Sequence, residues 1–413
     1  MRILFVHQNF PGQYRHIIRA LSLQGGHQIV GLGIEPLSEA IPKDVQYFRY
    51  GLTRGNTSGI HDWLIETESK LVRAESCARA AAKLRDHGFN PDLICVHPGW
   101  GEALFLKDLW PEAPLLSYQE FYYNSHGFDY GFDPEFPSNS SWESCARLRM
   151  KNANILLALQ ASDWSISPTK FQRSSFPSCW HSRISCIHDG IDTELATPGN
   201  DDSFFRSSHL GPFQKGQPII TFVNRTLEPY RGCHTFIRAI PVIQDMIPDA
   251  IIMIVGEGAG VSYGAAAPGN SWKDVFLDEI KGSYDPASVH FVGSLSYSDY
   301  LDLLRVSACH VYLTYPFVLS WSLMEAMSIG LPVVGSRTSP VEELIVDGHN
   351  GVLVDFFSPS QLAKAVEDLI ANPQEARSIG ANARTTILEN YSLSQCVPRQ
   401  LALMNLVASR ALA

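Results

Sequence analysis

The stretch CHVYLTYPFVLSWSLMEAMSIGLPVVG, Cys309 to Gly335, decides the fold. Its first part lies in a long uncharged run, the 19 residues Val306 to Met324 between Arg305 and Glu325. Length alone would allow a membrane span. His310, Thr314, Pro316, Ser320 and Ser322 interrupt it, so it reads as a buried strand (Cys309 to Leu313), a loop and the start of a helix (Ser322 to Ser328). A further strand, Leu331 to Gly335, follows at once. Apolar strands separated by a helix imply a parallel sheet covered by helices.

The same rhythm extends outward. Upstream lie a strand from Pro218 to Val223, a helix from Gly232 to Ile240, and a strand from Ala250 to Val255 that ends on Gly256-Glu257-Gly258. Val289 to Val292 is a strand and Tyr297 to Arg305 a helix. Leu362 to Ile370 and Pro373 to Glu389 read as helices. The first half repeats the pattern. Ile3 to His7 is a strand, Asn9 to Gly12 a turn, and Gln13 to Leu23 a helix with Tyr14, Ile17, Ile18 and Leu21 on one face. Gly25-Gly26 stops that helix, and His27 to Leu32, Asp92 to His97 and Leu115 to Tyr118 are strands. Two doubly wound α/β domains follow, and the Gly-, Asn-, Asp- and Ser-containing segment from about Pro198 to Gly216 reads as their link.

Composition agrees. The 413 residues suggest two or three domains, and 45% apolar with 18% charged residues excludes fibrous and wholly disordered chains. With 32 Lys and Arg against 42 Asp and Glu, the net charge of −10 argues against nucleic acid as a partner. The eight cysteines form no C-x-x-C, which points away from a zinc or redox motif and towards a reducing cytoplasm. Met1 to His7 has too short an apolar run for a secretion signal, so sequons at Asn56, Asn139 and Asn224 carry little weight.

Several short motifs occur in a telling order. They are His188-Asp189-Gly190-Ile191-Asp192-Thr193, Asn224-Arg225, Arg231-Gly232, Val255-Gly256-Glu257-Gly258, Phe291-Val292-Gly293, Leu323 to Val334, and Asp347-Gly348-His349-Asn350-Gly351 with Val354. Arg2 to Val6 with Pro11-Gly12 adds a first strand and glycine loop. In this order they resemble the family 4 retaining glycosyltransferases. The resemblance implies a GT-B fold: two Rossmann-like domains facing a central cleft, with a C-terminal helix crossing back to the first. It also implies an N-terminal acceptor-binding domain over 1–197 plus about 392–413 and a donor-binding domain over 198–391.

The implied activity is transfer of a sugar, with retention, from a UDP- or GDP-linked donor to a glycan, lipid-linked or protein acceptor. The nucleotide sugar is a co-substrate, and neither a cofactor nor a metal is implied. No D-x-D pair sits beside these motifs, so cations of the protein must meet the diphosphate charge. Arg225 and Arg231 are the candidate clamp. Asn224, Gly256, Gly258 and Gly293 lie at strand ends, where open α/β sheets bind ligands. Val318, Leu319, Ser320, Trp321 and Ser322 precede a helix whose N-terminal amides suit phosphate oxygens; an ordinary Ser cap explains the serines equally. Glu325 matches the family's ribose-binding glutamate. The E-x7-E pattern is broken, because Phe317 stands eight residues before Glu325.

In the first domain, Gly12 offers a small-residue loop. Glu120 is the candidate for the missing carboxylate, and His97 is either a ligand contact or a plain strand-end histidine. The aromatic run Phe121, Tyr122, Tyr123, Phe128, Tyr130, Phe132, Phe136 reads equally as a sugar-stacking surface or a packed loop. Expected location is the cytoplasm, with peripheral contact at the inner membrane face left open. Two other readings remain: a catalytically silent GT-B protein that binds a sugar nucleotide or serves as a partner subunit, and a different GT-B enzyme such as an epimerase or phosphorylase.

Overall fold

A computed structural model describes residues 1–136, 141–207 and 210–411, so the Asn139 sequon lies outside the described residues. The chain divides into two compact units, Met1–Gly190 with Leu393–Ala413, and Ile191–Ser392.

The first unit holds a seven-stranded, all-parallel sheet. Its strands are β1 (Arg2–Val6), β2 (Gln28–Gly33), β3 (Val45–Arg49), β4 (Leu93–Val96), β5 (Leu115–Tyr118), β6 (Trp164–Ser167) and β7 (Ile184–Cys186), in the order 3-2-1-4-5-6-7. Strand β1 is continuous in apolar residues because both faces are covered: Ile3, Leu4, Phe5 and Val6 have no exposed surface. Each such burial contributes about 1.5–3 kcal/mol. The helix Leu393–Ala408 completes this core, with Leu403, Met404 and Val407 packed among Ile3, Phe5, Tyr14 and Ile17.

The second unit begins earlier than expected. Ile191 and Ala196 belong to its core, packed with Tyr300, Leu304 and Met327, and the Ile191 amide donates to the Tyr391 carbonyl. The structural boundary therefore falls at Gly190, before the expected 197. The described residues of the segment read as a link are a folded part of this unit. It carries the antiparallel pair β8 (Phe204–Phe205) and β9 (Phe213–Gln214), and Phe205 is buried against Ile219, Met253 and Leu303.

A six-stranded parallel sheet follows: β10 (Ile219–Thr226), β11 (Ile251–Glu257), β12 (Val289–Gly293), β13 (Cys309–Tyr312), β14 (Val333–Ser336) and β15 (Val352–Val354), in the order 12-11-10-13-14-15. Helix Cys233–Met246 runs further than expected, past Pro241. The key helix is Trp321–Ile329, capped by Ser320 and closed by Gly330 in the left-handed region.

Each sheet reverses its strand order once, between β1 and β4 in the first unit and between β10 and β13 in the second. At such a point successive loops leave in opposite directions and open a crevice beyond the carboxyl ends of the strands. All eight cysteines are free thiols, and no helix among the described residues is long and apolar enough to cross a membrane.

Candidate functional site

In the second unit the loops after β10 and β13 meet through Arg231. The turn Pro229–Arg231 ends on Gly232, whose φ of 68° lets the chain swing into the next helix. A side chain there would strike Leu313. Arg231 is 8% exposed, and its Nη1 donates to Thr314 Oγ1 and to the Val318 carbonyl, both at 2.8 Å. The guanidinium lies 5.4 Å from the Tyr263 ring centroid and 5.8 Å from that of Phe317. This cation is thus fixed across the strand-order reversal.

Arg225 differs: it is exposed near the end of β10 and makes no hydrogen bond or ion pair among the described residues. The two arginines therefore do not form a matched clamp in this structure. The expected pairing treats as equivalent one buried and one solvated cation. Asn224, Gly256, Gly258 and Gly293 lie on or just past strand ends, and the Asn224 carbonyl presses on Gly256, whose φ is 143°. The Asn224 Nδ2 is buried without a partner among the described residues.

A residue absent from the sequence reading organises this region. Glu228, 1% exposed, accepts from Thr226 Oγ1 at 2.9 Å and from the backbone amides of Ser262 and Tyr263 at 2.6 and 3.1 Å. Burial raises its pKa against the pull of those donors. It ties the 262–263 loop beside Arg231; its only signal was an acid lying between the two motif arginines.

The loop before helix Trp321–Ile329 is partly self-satisfied. The Ser320 amide donates to the Tyr312 hydroxyl at 2.8 Å, and the Ser322 amide to Ser320 Oγ at 3.3 Å. Those two amides, expected to serve a ligand, are engaged within the chain; the Trp321 amide and the helix dipole remain. Val318 contributes its carbonyl to Arg231, and Leu319 packs at the edge of the core. Phe317, in the place of the first glutamate, is buried with its ring 4.9 Å from Tyr263 and 5.6 Å from Tyr230.

Glu325 is 7% exposed, and its two oxygens accept from the Tyr297 and Tyr300 hydroxyls at 2.8 and 2.9 Å.

In the first unit, Gly12 has a φ of 51° and lies directly on the His7 ring, where a side chain has no room. His97, 2% exposed, sits at the end of β4, and its Nε2 lies 3.7 Å from Glu120 Oε2. Glu120 follows β5, with a side chain 40% exposed. These two predicted residues come together. Much of the aromatic run is packed loop: the Phe121 ring meets Tyr123, Phe128 and Phe171 within 6.4 Å.

Buried titratable groups in this unit give a pH prediction. Asp189, which accepts from Tyr118 Oη at 2.9 Å, has its carboxyl pushed up to about 7 by burial. The unfolded chain releases that proton at about 3.9, so this group makes stability fall as pH rises from about 4 to about 7. His7 and His188 act oppositely. Burial holds them neutral, with values of about 3 and about 4, so stability falls as pH drops below about 6.5. Asp189→Asn removes only the first effect. Its melting temperature relative to wild type is expected to climb between pH 5 and 7.5; a difference constant over that range would exclude Asp189 as the titrating group.

Comparison with known proteins completes the picture. Residues 25–196 match the family described as "Glycosyl transferase family 4 group", and residues 207–386 match "Glycosyl transferases group 1". The chain is 24% identical over 292 residues to a D-inositol 3-phosphate glycosyltransferase of Corynebacterium glutamicum, covering 69% of this chain and 64% of that one. It is 26% identical over 233 residues to a GDP-mannose-dependent alpha-(1-6)-phosphatidylinositol monomannoside mannosyltransferase of Mycolicibacterium smegmatis, covering 54% and 57%. The chain spans between half and two thirds of the length of several curated relatives that it matches. The solved sucrose-phosphate synthase of Thermosynechococcus elongatus shares the fold, with a TM-score of 0.73, 17% identity, and coverage of 99% and 100%. The two halves thus match, in order, a glycosyl transferase family 4 group domain and a glycosyl transferases group 1 domain, on the two Rossmann-like units of a GT-B fold.

Proposed function

We propose that the protein transfers a sugar from a nucleoside diphosphate sugar to an acceptor hydroxyl, with retention at the anomeric carbon. The observation that carries this reading is Arg231, a buried cation held by Thr314 and Val318 where the strand order of the second sheet reverses. Charge grows on the leaving diphosphate as the sugar bond breaks, and a fixed cation with the N-terminus of helix Trp321–Ile329 meets it. Arg225 adds a mobile solvated charge. Glu325 holds the ribose hydroxyls, with Tyr297 and Tyr300 fixing the carboxylate. The first unit takes the acceptor, with Glu120 standing in for the carboxylate that Phe317 replaces.

UDP- and GDP-linked donors both fit this reading; GDP-mannose appears in the name of the mycobacterial relative. The acceptor is a glycan, a lipid-linked glycan or a protein hydroxyl, and the place of work is the cytoplasm or the inner membrane face. A second reading rests on Phe317: loss of the first glutamate suits a silent sugar-nucleotide binder. Thermal-shift screening against UDP- and GDP-sugars, followed by nucleotide release without acceptor, separates the two, because a ligand that binds only the native state raises the melting temperature. Binding with no release favours the silent protein.

The same experiment run with EDTA gives a prediction. Donor binding and release are expected to persist unchanged, since Arg231 supplies the positive charge. Loss of both on chelation would overturn the charge assignment.

A further inference from the structure

Two imidazoles stand side by side beyond the ends of β1 and β4. Their ring centroids lie 5.2 Å apart at an angle of 72°. Each has its Nδ1 engaged by a backbone amide two residues on: Asn9 N–H donates to His7 Nδ1 at 3.0 Å, and Gly99 N–H to His97 Nδ1 at 3.2 Å. A nitrogen that accepts carries no proton, so a neutral ring in this position bears its proton on Nε2. Both Nε2 atoms are buried without a hydrogen-bond partner among the described residues.

The His97 ring cannot turn away. Trp100 lies against it at 4.6 Å, and Tyr118 stacks on it at 5.5 Å with an interplanar angle of 25°. Gly99 packs closely enough that a side chain there would strike the imidazole. The acceptor that its Nε2–H faces is Glu120 Oε2, 3.7 Å away. That distance is longer than a hydrogen bond, and the Glu120 side chain is 40% exposed. Catalytic hydrogen bonds are often long before ligand binds.

We infer that His97 is a positioning residue for Glu120: the Gly99 amide fixes its tautomer, and its Nε2–H holds one carboxylate oxygen so that the carboxylate meets a hydroxyl-bearing acceptor in one orientation. The inference rests on the reading of Glu120 given above and adds the group that orients it. The chemistry suits a hydroxyl rather than an anion. A carboxylate accepts a hydrogen bond from a hydroxyl, and it repels a phosphate. Other titratable groups facing His97 are His7, Glu102 and Tyr118. Burial keeps His7 neutral, so no cation there competes for the carboxylate. Glu102 is 1% exposed and is bound by the Tyr50 hydroxyl at 2.9 Å.

The test uses the full chain with no ligand. Long-range proton–nitrogen NMR of wild type is expected to show His97 as the Nε2–H tautomer, with Glu120→Gln moving that resonance. An Nδ1–H tautomer, or a resonance unmoved by Glu120→Gln, overturns the inference. A second arm compares His97→Gln, whose amide nitrogen reaches the Nε2 position, with His97→Asn, whose amide nitrogen stops at the Nδ1 position. With whichever of UDP-glucose or GDP-mannose stabilises the protein, His97→Gln is expected to keep nucleotide release within threefold of wild type. His97→Asn is expected to fall tenfold or more at similar KM. Equal losses with equal drops in melting temperature mean the histidine is only structural. If Glu120→Gln leaves release intact while moving the His97 resonance, Glu120 leaves the proposed function and the His97–Glu120 coupling stands.

Discussion

Arg231→Ala is expected to lower turnover by 10²- to 10³-fold, the loss seen when one preorganised donor to developing charge is removed, about 2.7–4 kcal/mol. The size of the effect follows from burial. A solvated arginine is screened and mobile, whereas Arg231 is 8% exposed and pinned at 2.8 Å by two acceptors. Its charge needs no reorganisation as the diphosphate leaves. The same contacts mean that the alanine variant also loses stability, since hydrogen bonds to charged groups contribute about 1.5–3 kcal/mol each. Arg231→Lys separates the effects. An ammonium keeps the charge but sits on a shorter, non-planar head and does not reproduce the placement of Nη1 between Thr314 and Val318. Melting temperature and kcat are the measurements. A rate drop below tenfold, with an unchanged melting temperature, would remove Arg231 from the phosphate site. Arg225→Ala is expected to cost less, because that side chain is exposed and unanchored.

The second large effect is all or none: the product is expected to keep the anomeric configuration of the donor, without a covalent intermediate. A double displacement needs a carboxylate beneath the anomeric carbon. Phe317 stands in the motif position for one, buried against Tyr263 and Tyr230, and it cannot attack. Glu325 is held by two tyrosine hydroxyls and is assigned to the ribose. The acceptor then approaches on the face the phosphate leaves. Its oxygen forms the new bond to the anomeric carbon as the old bond to phosphate breaks, and its proton passes to the departing phosphate. Anomeric proton NMR of the product and mass spectrometry of enzyme with donor check this. Inversion, or a glycosyl adduct on Glu120, would overturn the route while leaving the family intact.

What was legible in the sequence follows from how strands are buried. Strands β1, β10, β11 and β13 are covered on both faces, so they appear as continuous apolar runs. Strand β3 escaped notice because it is an edge, VQYFR, with little of it buried. Strand β6, WSIS, hides two buried serines, one of which is bonded through its hydroxyl to Ser117 across the sheet at 2.9 Å. Helix Ile65–Asp86 is charged on most of its surface and carries no clear stripe. At the site, motif spacing located Arg231 and Glu325. Their partners were beyond reach, because Thr314 lies 83 residues from Arg231, and Tyr297 lies 28 from Glu325. Sequence distance says nothing about which loops a strand-order reversal brings together.

The meeting of Ile191 with Tyr391 and Ser392 has a consequence for biosynthesis. The second unit enters and leaves through neighbouring residues, a backbone bond at 2.7 Å joining its two ends and a bridge pairing Ile191 with Ser392. It is an insertion within the first. Emerging from the ribosome, residues 1–190 lack the helix whose Leu403, Met404 and Val407 close their core, because that helix is made only after the inserted unit. The inserted unit has every element it needs before then. Folding during translation is therefore expected to complete the middle of the chain first and the beginning last, reversing the usual N-terminal-first order.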